Sequence, residues 1–101
     1  MTSVTTGLIV RLEAKPGREH DLAAFLASAL ALVADEPETV VWLAVRSGPT
    51  SFAIIDAFPD DAGRQAHLGG PVAAALFAKA DELLAEAPRV ERVDVLAAQL
   101  P

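Results

Sequence analysis

His67 and Asp56 are the two side chains of this sequence best suited to moving a proton. An imidazole titrates near neutral pH, so His67 is the natural candidate for a general base. It stands among Ala66, Leu68 and small apolar residues just ahead of Gly69-Gly70-Pro71, at the end of a short helix expected to overhang the space between helices and sheet. The plainer alternative is a partly exposed histidine hydrogen-bonded to the broken helix. Asp56 shares its alternation phase with Phe52, Ile54 and Phe58. A carboxylate among apolar neighbours is costly unless it is paired or protonated. Arg11, Arg46 or Arg92 on neighbouring strands are its expected partners, in a structural ion pair. Trp42 is expected in the core or in a pocket wall, and its indole N–H needs an acceptor, either a backbone carbonyl or an oxygen of a ligand. His20, beside Arg18, Glu19 and Asp21, reads as solvated surface.

Several chemistries lack residues to carry them. With no cysteine there is no disulfide framework, thiolate nucleophile or thiolate metal site. The two histidines are far apart, no His-x-x-x-His spacing occurs, and no metal is expected. Gly-x-Gly-x-x-Gly, P-loop and Gly-x-Ser-x-Gly motifs are absent, so neither a nucleotide cofactor nor serine hydrolysis has support. A net charge of −6, spread along the chain, repels phosphate backbones and anionic lipid. One Trp, four Phe and no Tyr leave few platforms for stacking bases. Nucleic acid and membrane are therefore not expected as partners. Although 52% of residues are apolar, no run of about 18 escapes charge or proline. The start, Met1-Thr-Ser-Val-Thr-Thr-Gly7, has neither a basic segment nor a long apolar one, so no secretory leader is expected and a cytoplasmic location follows.

The elements that must position these residues can be read from periodicity. Leu8, Val10 and Leu12 alternate with Ile9, Arg11 and Glu13, a strand within residues 7–14. After Lys15-Pro16-Gly17, the residues Leu22, Phe25, Leu26, Ala29, Leu30 and Val33 form a helical stripe that Asp35-Glu36-Pro37 stops. Two β-rich runs, 39–46 and 51–58, flank the turn formers Ser47-Gly48-Pro49-Thr50. A short helix over 60–68 breaks at Gly69-Gly70-Pro71 and resumes over 72–84, with proline at its first position. Pro88 ends it, and 89–96 returns to strand character. No linker or repeat interrupts the chain, so residues 1–101 are expected to form one domain.

The order β-α-β-β-α-β predicts an α+β, ferredoxin-like sandwich: a four-stranded antiparallel sheet with helices on one face. The other face should then be polar. Instead the second strand carries Val41, Leu43 and Val45 on one side and Val40, Trp42 and Ala44 on the other, and the third offers Ala53, Ile55 and Ala57 opposite Phe52, Ile54 and Phe58. Helices hide one side only. A second copy of the chain, packed sheet to sheet, is the expected cover, giving a homodimer.

The run Phe52-Ala-Ile-Ile-Asp56-Ala-Phe58-Pro-Asp60, then Ala62 and Ala66-His67-Leu68-Gly-Gly-Pro71, resembles the antibiotic biosynthesis monooxygenase family of dimeric α/β barrels, which includes quinol monooxygenases. Asp56, Phe58, Asp60 and His67 fall where that family has an acidic strand residue, an aromatic, an aspartate and a helical histidine. The strand order and the Pro-Gly turn after the first strand extend the likeness over nearly the whole chain. The haem-degrading branch fits less well, with Val10 in place of its strand asparagine, His67 in place of its helical tryptophan and Phe77 near its haem-ligating histidine.

The resemblance implies oxygen insertion into a small phenol or hydroquinone in an apolar pocket, with no metal or flavin. His67 would take the phenolic proton, Asp56 or an arginine such as Arg11 would orient ring or base, and Trp42, Phe52, Phe58, Leu76 and Phe77 would shape the wall. Two alternatives stay open on the same scaffold. One is a non-catalytic dimer, structural or holding a small apolar ligand; Val72 and Ala73, standing where many members carry a second histidine and an aromatic, and the absence of Tyr favour it. The other is a proton-shuttling isomerase or cyclase, which needs the base but no oxygen.

Overall fold

Alternation along two strands decides the layering. A computed structural model describes residues 3–101, so Met1 and Thr2 lie outside the described residues. The elements are β1 (Thr6–Glu13), α1 (Glu19–Val33), β2 (Val41–Arg46), β3 (Ser51–Phe58), α2 (Asp61–Leu68), α3 (Pro71–Leu83) and β4 (Arg89–Asp94). All strand pairs are antiparallel and the sheet runs β2-β3-β1-β4. The two central strands turn Leu8, Val10, Leu12, Phe52, Ile54 and Phe58 toward the helices, where they meet Leu22 and Leu26 of α1 and Leu76 and Leu83 of α3. Leu8, Leu22 and Phe58 are fully buried, and each such side chain contributes about 1.5–3 kcal/mol. This is the ferredoxin-like α+β sandwich that the element order predicts.

Local chemistry fixes the joints. Gly17 has the single positive φ among the described residues, 83°, and turns the chain from β1 into α1. Arg18 then ties the start of α1 to the end of α3, reaching Asp21 at 2.8 Å and Glu82 at 3.1 Å. Asp60 caps α2 by accepting a hydrogen bond from the Gly63 N–H at 3.0 Å. A β-carbon at Gly63 would stand 3.1 Å from that of Glu38 and 3.3 Å from that of Phe58, so glycine lets α2 settle close to the sheet. Pro71 opens α3, where its missing N–H costs nothing.

Two boundaries differ from expectation by two residues, the others by one at most. β2 begins at Val41 instead of 39, because Thr39 is held in a turn by the Glu36 carbonyl at 3.0 Å. β4 ends at Asp94, two residues early, and Leu96 is left almost wholly exposed. No helix of the described residues is long and apolar enough to cross a membrane.

The helix-free face is apolar on its β2–β3 half, where Leu43 is 53% exposed and Val45 and Ile55 are exposed beside it. On the β1–β4 half it carries the exposed pair Arg11–Glu91 at 3.0 Å. On this face Gly7 sits where a β-carbon would meet the Asp56 carbonyl at 2.7 Å and Val93 Cγ2 at 3.2 Å. Backbone cannot yield as a side chain can. Gly7→Ala is therefore expected to lower stability by about 1–3 kcal/mol in urea unfolding, whereas Gly48→Ala, whose new carbon meets nothing nearer than 3.7 Å, should stay within about 0.5 kcal/mol of the parent.

Candidate active site

α2 has two buried positions, Gly63 and His67, one helical turn apart and both turned to the sheet. The missing side chain at the first lets the helix descend; the imidazole at the second then reaches into the apolar layer, with its side chain 6% exposed. Nδ1 lies 2.5 Å from Glu36 Oε1, and Nε2 lies 2.9 Å from Asp56 Oδ2. The carboxylates are as hidden as the ring, Glu36 at 9% and Asp56 at 0% side-chain exposure. Phe58 closes one side, its ring centroid 5.3 Å from that of His67.

Each carboxylate arrives by a different route. Asp56 is on β3, opposite Leu8 of β1 and Trp42 of β2 on the helix-facing side. Glu36 comes from the turn between α1 and β2, where Thr39 Oγ1 donates to its Oε1 at 3.0 Å. Its Oε2 faces the start of α3, with the Val72 N–H at 3.5 Å, and a helix N-terminus favours an anion. Glycine at position 70 makes room, since a β-carbon there would be 3.2 Å from that oxygen.

Burial alone pushes the His67 imidazole down. The hydrogen bonds and charges of Asp56 and Glu36 outweigh it and hold the group above its ordinary value of 6.5. The ring is thus clamped at both nitrogens by acids. Asp56 is not fully used by this contact: neither of its oxygens receives an aligned hydrogen bond from the described residues. The same holds for Trp42 Nε1 and Thr6 Oγ1, so every buried side-chain polar atom left unpartnered among the described residues belongs to these three. Each such group costs about 1–3 kcal/mol if nothing else reaches it.

The structure brings Asp56 and His67 together and separates other expected members. Arg11 is on the opposite face of the sheet, bound to Glu91, and neither partners Asp56 nor points into this layer; its alternation phase, odd where Leu8 and Val10 are even, put it there. Arg46 turns to the carbonyls of Gly48 and Pro49 and lies over the Phe52 ring at 5.1 Å. Arg92 makes no ion pair among the described residues. The partner of Asp56 is the histidine. Phe58 and Trp42 flank the cluster, whereas Phe52 and Leu76 belong to the packed core. Phe77 is 57% exposed, because a helix turns by about 100° per residue and its buried neighbour Leu76 takes the inward position. Glu36 and Thr39 escaped the sequence reading: a glutamate before proline at a helix end has a sufficient local explanation as part of the stop.

Trp42 also lines a cleft of about 970 Å³ with Val40, Leu43, Leu100 and others, at the edge of the sheet. A smaller groove of about 180 Å³ runs between α1 and β2 beside Phe52. His67 and Asp56 line neither. No group of three His, Asp or Glu among the described residues is arranged to hold a metal. In the Glu36–His67–Asp56 cluster the acids approach opposite nitrogens and share no common point.

A raised imidazole stabilises the fold most while the unfolded chain would also be protonated, below about 6.5, and loses that contribution as pH climbs through the folded-state value. Urea unfolding of the parent against His67→Gln, followed from pH 6 into the alkaline range, should show the parent's advantage shrinking as pH rises. An advantage that grows would contradict the clamp.

No family model matches the chain, and no curated protein does. Solved structures do. A putative antibiotic biosynthesis monooxygenase from Caulobacter crescentus superposes with a TM-score of 0.79 at 21% identity, covering 93% of this chain and 92% of its own. Another so described, from Chloroflexus aurantiacus, gives 0.73 at 20% identity over 94% and 96%. At this distance the likeness is one of fold. A protein of unknown function from Nitrosomonas europaea is far nearer, with 55% identity, a TM-score of 0.95, and coverage of 97% of this chain and 95% of its own. On that likeness the chain belongs to the same family as the Nitrosomonas europaea protein, built on the fold that the antibiotic biosynthesis monooxygenase structures share.

Proposed function

We propose that the protein is a monooxygenase that needs no cofactor and acts, as a single-domain chain in a cytoplasmic homodimer, on a small phenol or hydroquinone. One observation carries the reading: a fully buried carboxylate, Asp56, keeps an unpartnered oxygen while an imidazole backed by a second acid stands behind it. Both nitrogens of His67 are engaged, so the group that meets the substrate proton is Asp56, and His67 and Glu36 are positioning residues behind it. The similarity in fold to the two monooxygenase-described structures supports the reaction class.

Asp56 takes the phenolic proton and passes it to Nε2 of a neutral His67. The phenolate gives one electron to O₂, the two radicals join through a new C–O bond at a ring carbon that bears hydrogen, and the O–O bond and that C–H bond then break with loss of water. One oxygen atom stays as a quinone carbonyl. The substrate supplies all four electrons, and the second oxygen leaves in the water. The chain's part is orientation, proton handling and a dry setting.

A non-catalytic dimer is the second reading, favoured by the absence of Asp56 and His67 from the linings of the clefts. Oxygen uptake with a panel of hydroquinones decides between them. Consumption is expected, falling by about 10²–10⁴-fold in Asp56→Asn, and rising with pH above 6.5 as the imidazole gives up its resting proton. His67→Gln should flatten that rise. No uptake with any member of the panel rules out the oxygenase. For the assembly, sedimentation should show a dimer that Leu43→Lys or Ile55→Lys dissociates; a parent that stays monomeric at high concentration removes the proposed interface.

A further inference from the structure

We infer that Trp42 and Asp56 read a single hydroxyl group of the ligand, the indole N–H donating to its oxygen and the Asp56 carboxylate accepting its proton. The inference rests on the proposed site and names what that site recognises. The two residues are directly opposed on neighbouring strands and face the same way, toward the helices. Directly opposed side chains begin about 5 Å apart. One is a buried donor and the other a fully buried acceptor: the indole N–H has no hydrogen-bond partner among the described residues, and Asp56, whose Oδ2 faces the imidazole, keeps its Oδ1 unpartnered.

A hydroxyl is the smallest group that satisfies both at once, because its oxygen accepts and its proton donates. A carbonyl or ether would serve Trp42 and leave Asp56 unmet; an ammonium would do the reverse. Trp42 also has access to solvent space, since it lines the cleft of about 970 Å³ on one side and packs on the core on the other. Thr6, on the same face two residues before Leu8, which opposes Asp56, adds a third unpartnered group, a hydroxyl, to that corner of the sheet. The buried side-chain polar atoms left unpartnered among the described residues are therefore gathered at one end, beside the imidazole. The ligand class that fits is a compact phenol or enol, as opposed to its ether or ketone.

Trp42 is the only tryptophan and there is no tyrosine, so its emission reports on this corner alone. Hydroquinone, 4-methoxyphenol and 1,4-dimethoxybenzene are titrated into the purified full chain without oxygen, with fluorescence and calorimetry as readouts. Both phenols should change the emission and bind at least about tenfold more tightly than the diether, which cannot donate to Asp56. Asp56→Asn, in which an NH₂ donor replaces one of the two acceptor oxygens and the charge is lost, should abolish that preference. Trp42→Phe, followed by calorimetry, should weaken all three ligands while keeping the preference, since each has an oxygen to accept from the indole. Equal binding of phenols and diether, a preference that survives in Asp56→Asn, or unchanged emission at saturating phenol overturns the inference. Binding with the expected preference but no oxygen uptake upholds it and rejects the oxygenase; uptake without preference does the opposite.

Discussion

A carboxylate with no exposure sits in the middle of an apolar sheet face, and the helical half of the molecule is arranged around that fact. Asp56 on β3 can be tolerated only because a proton-bearing ring comes down on it from α2. The ring in turn needs an acid at its far nitrogen to stay oriented, and Glu36 supplies it from a turn that belongs to neither element. One buried charge thus ties together β3, the end of α2, the α1–β2 turn and the start of α3.

That chain of dependence explains how stability and chemistry come to share residues. Thr39 and the opening of α3 hold Glu36, and Glu36 holds His67; none of them needs to touch a ligand for the arrangement to matter. The same contacts that fasten two helices to the sheet set the proton affinity of the imidazole. A site built this way has little freedom to move without loosening the fold, which accords with its burial.

Much of this was legible in the residues, but not the meeting of them. β3 was read with its observed limits because the β-rich run Ser51–Phe58 lies between turn formers and Pro59. His67 and Asp56 each stood out by type and neighbours, yet Asp56 was assigned an arginine partner. Nothing in one sequence says that the end of a helix eleven residues on folds back over the strand it left. Glu36 stayed hidden since its local role was already accounted for. Phe77 was grouped with Leu76 in the pocket wall that the resemblance implies, although helical geometry sends adjacent residues to different sides.

Gly63 carries no functional group, yet it sets how far the imidazole reaches. Its hydrogen stands where even one methyl would press on Glu38 and Phe58, so the altitude of α2 over the sheet is governed by the size of that residue. One turn along, that altitude becomes the separation between Nε2 and Oδ2. The acidity of the cluster is in this sense a matter of steric clearance: among relatives, bulk at this position would retune the proton's hold without altering a single ionisable side chain.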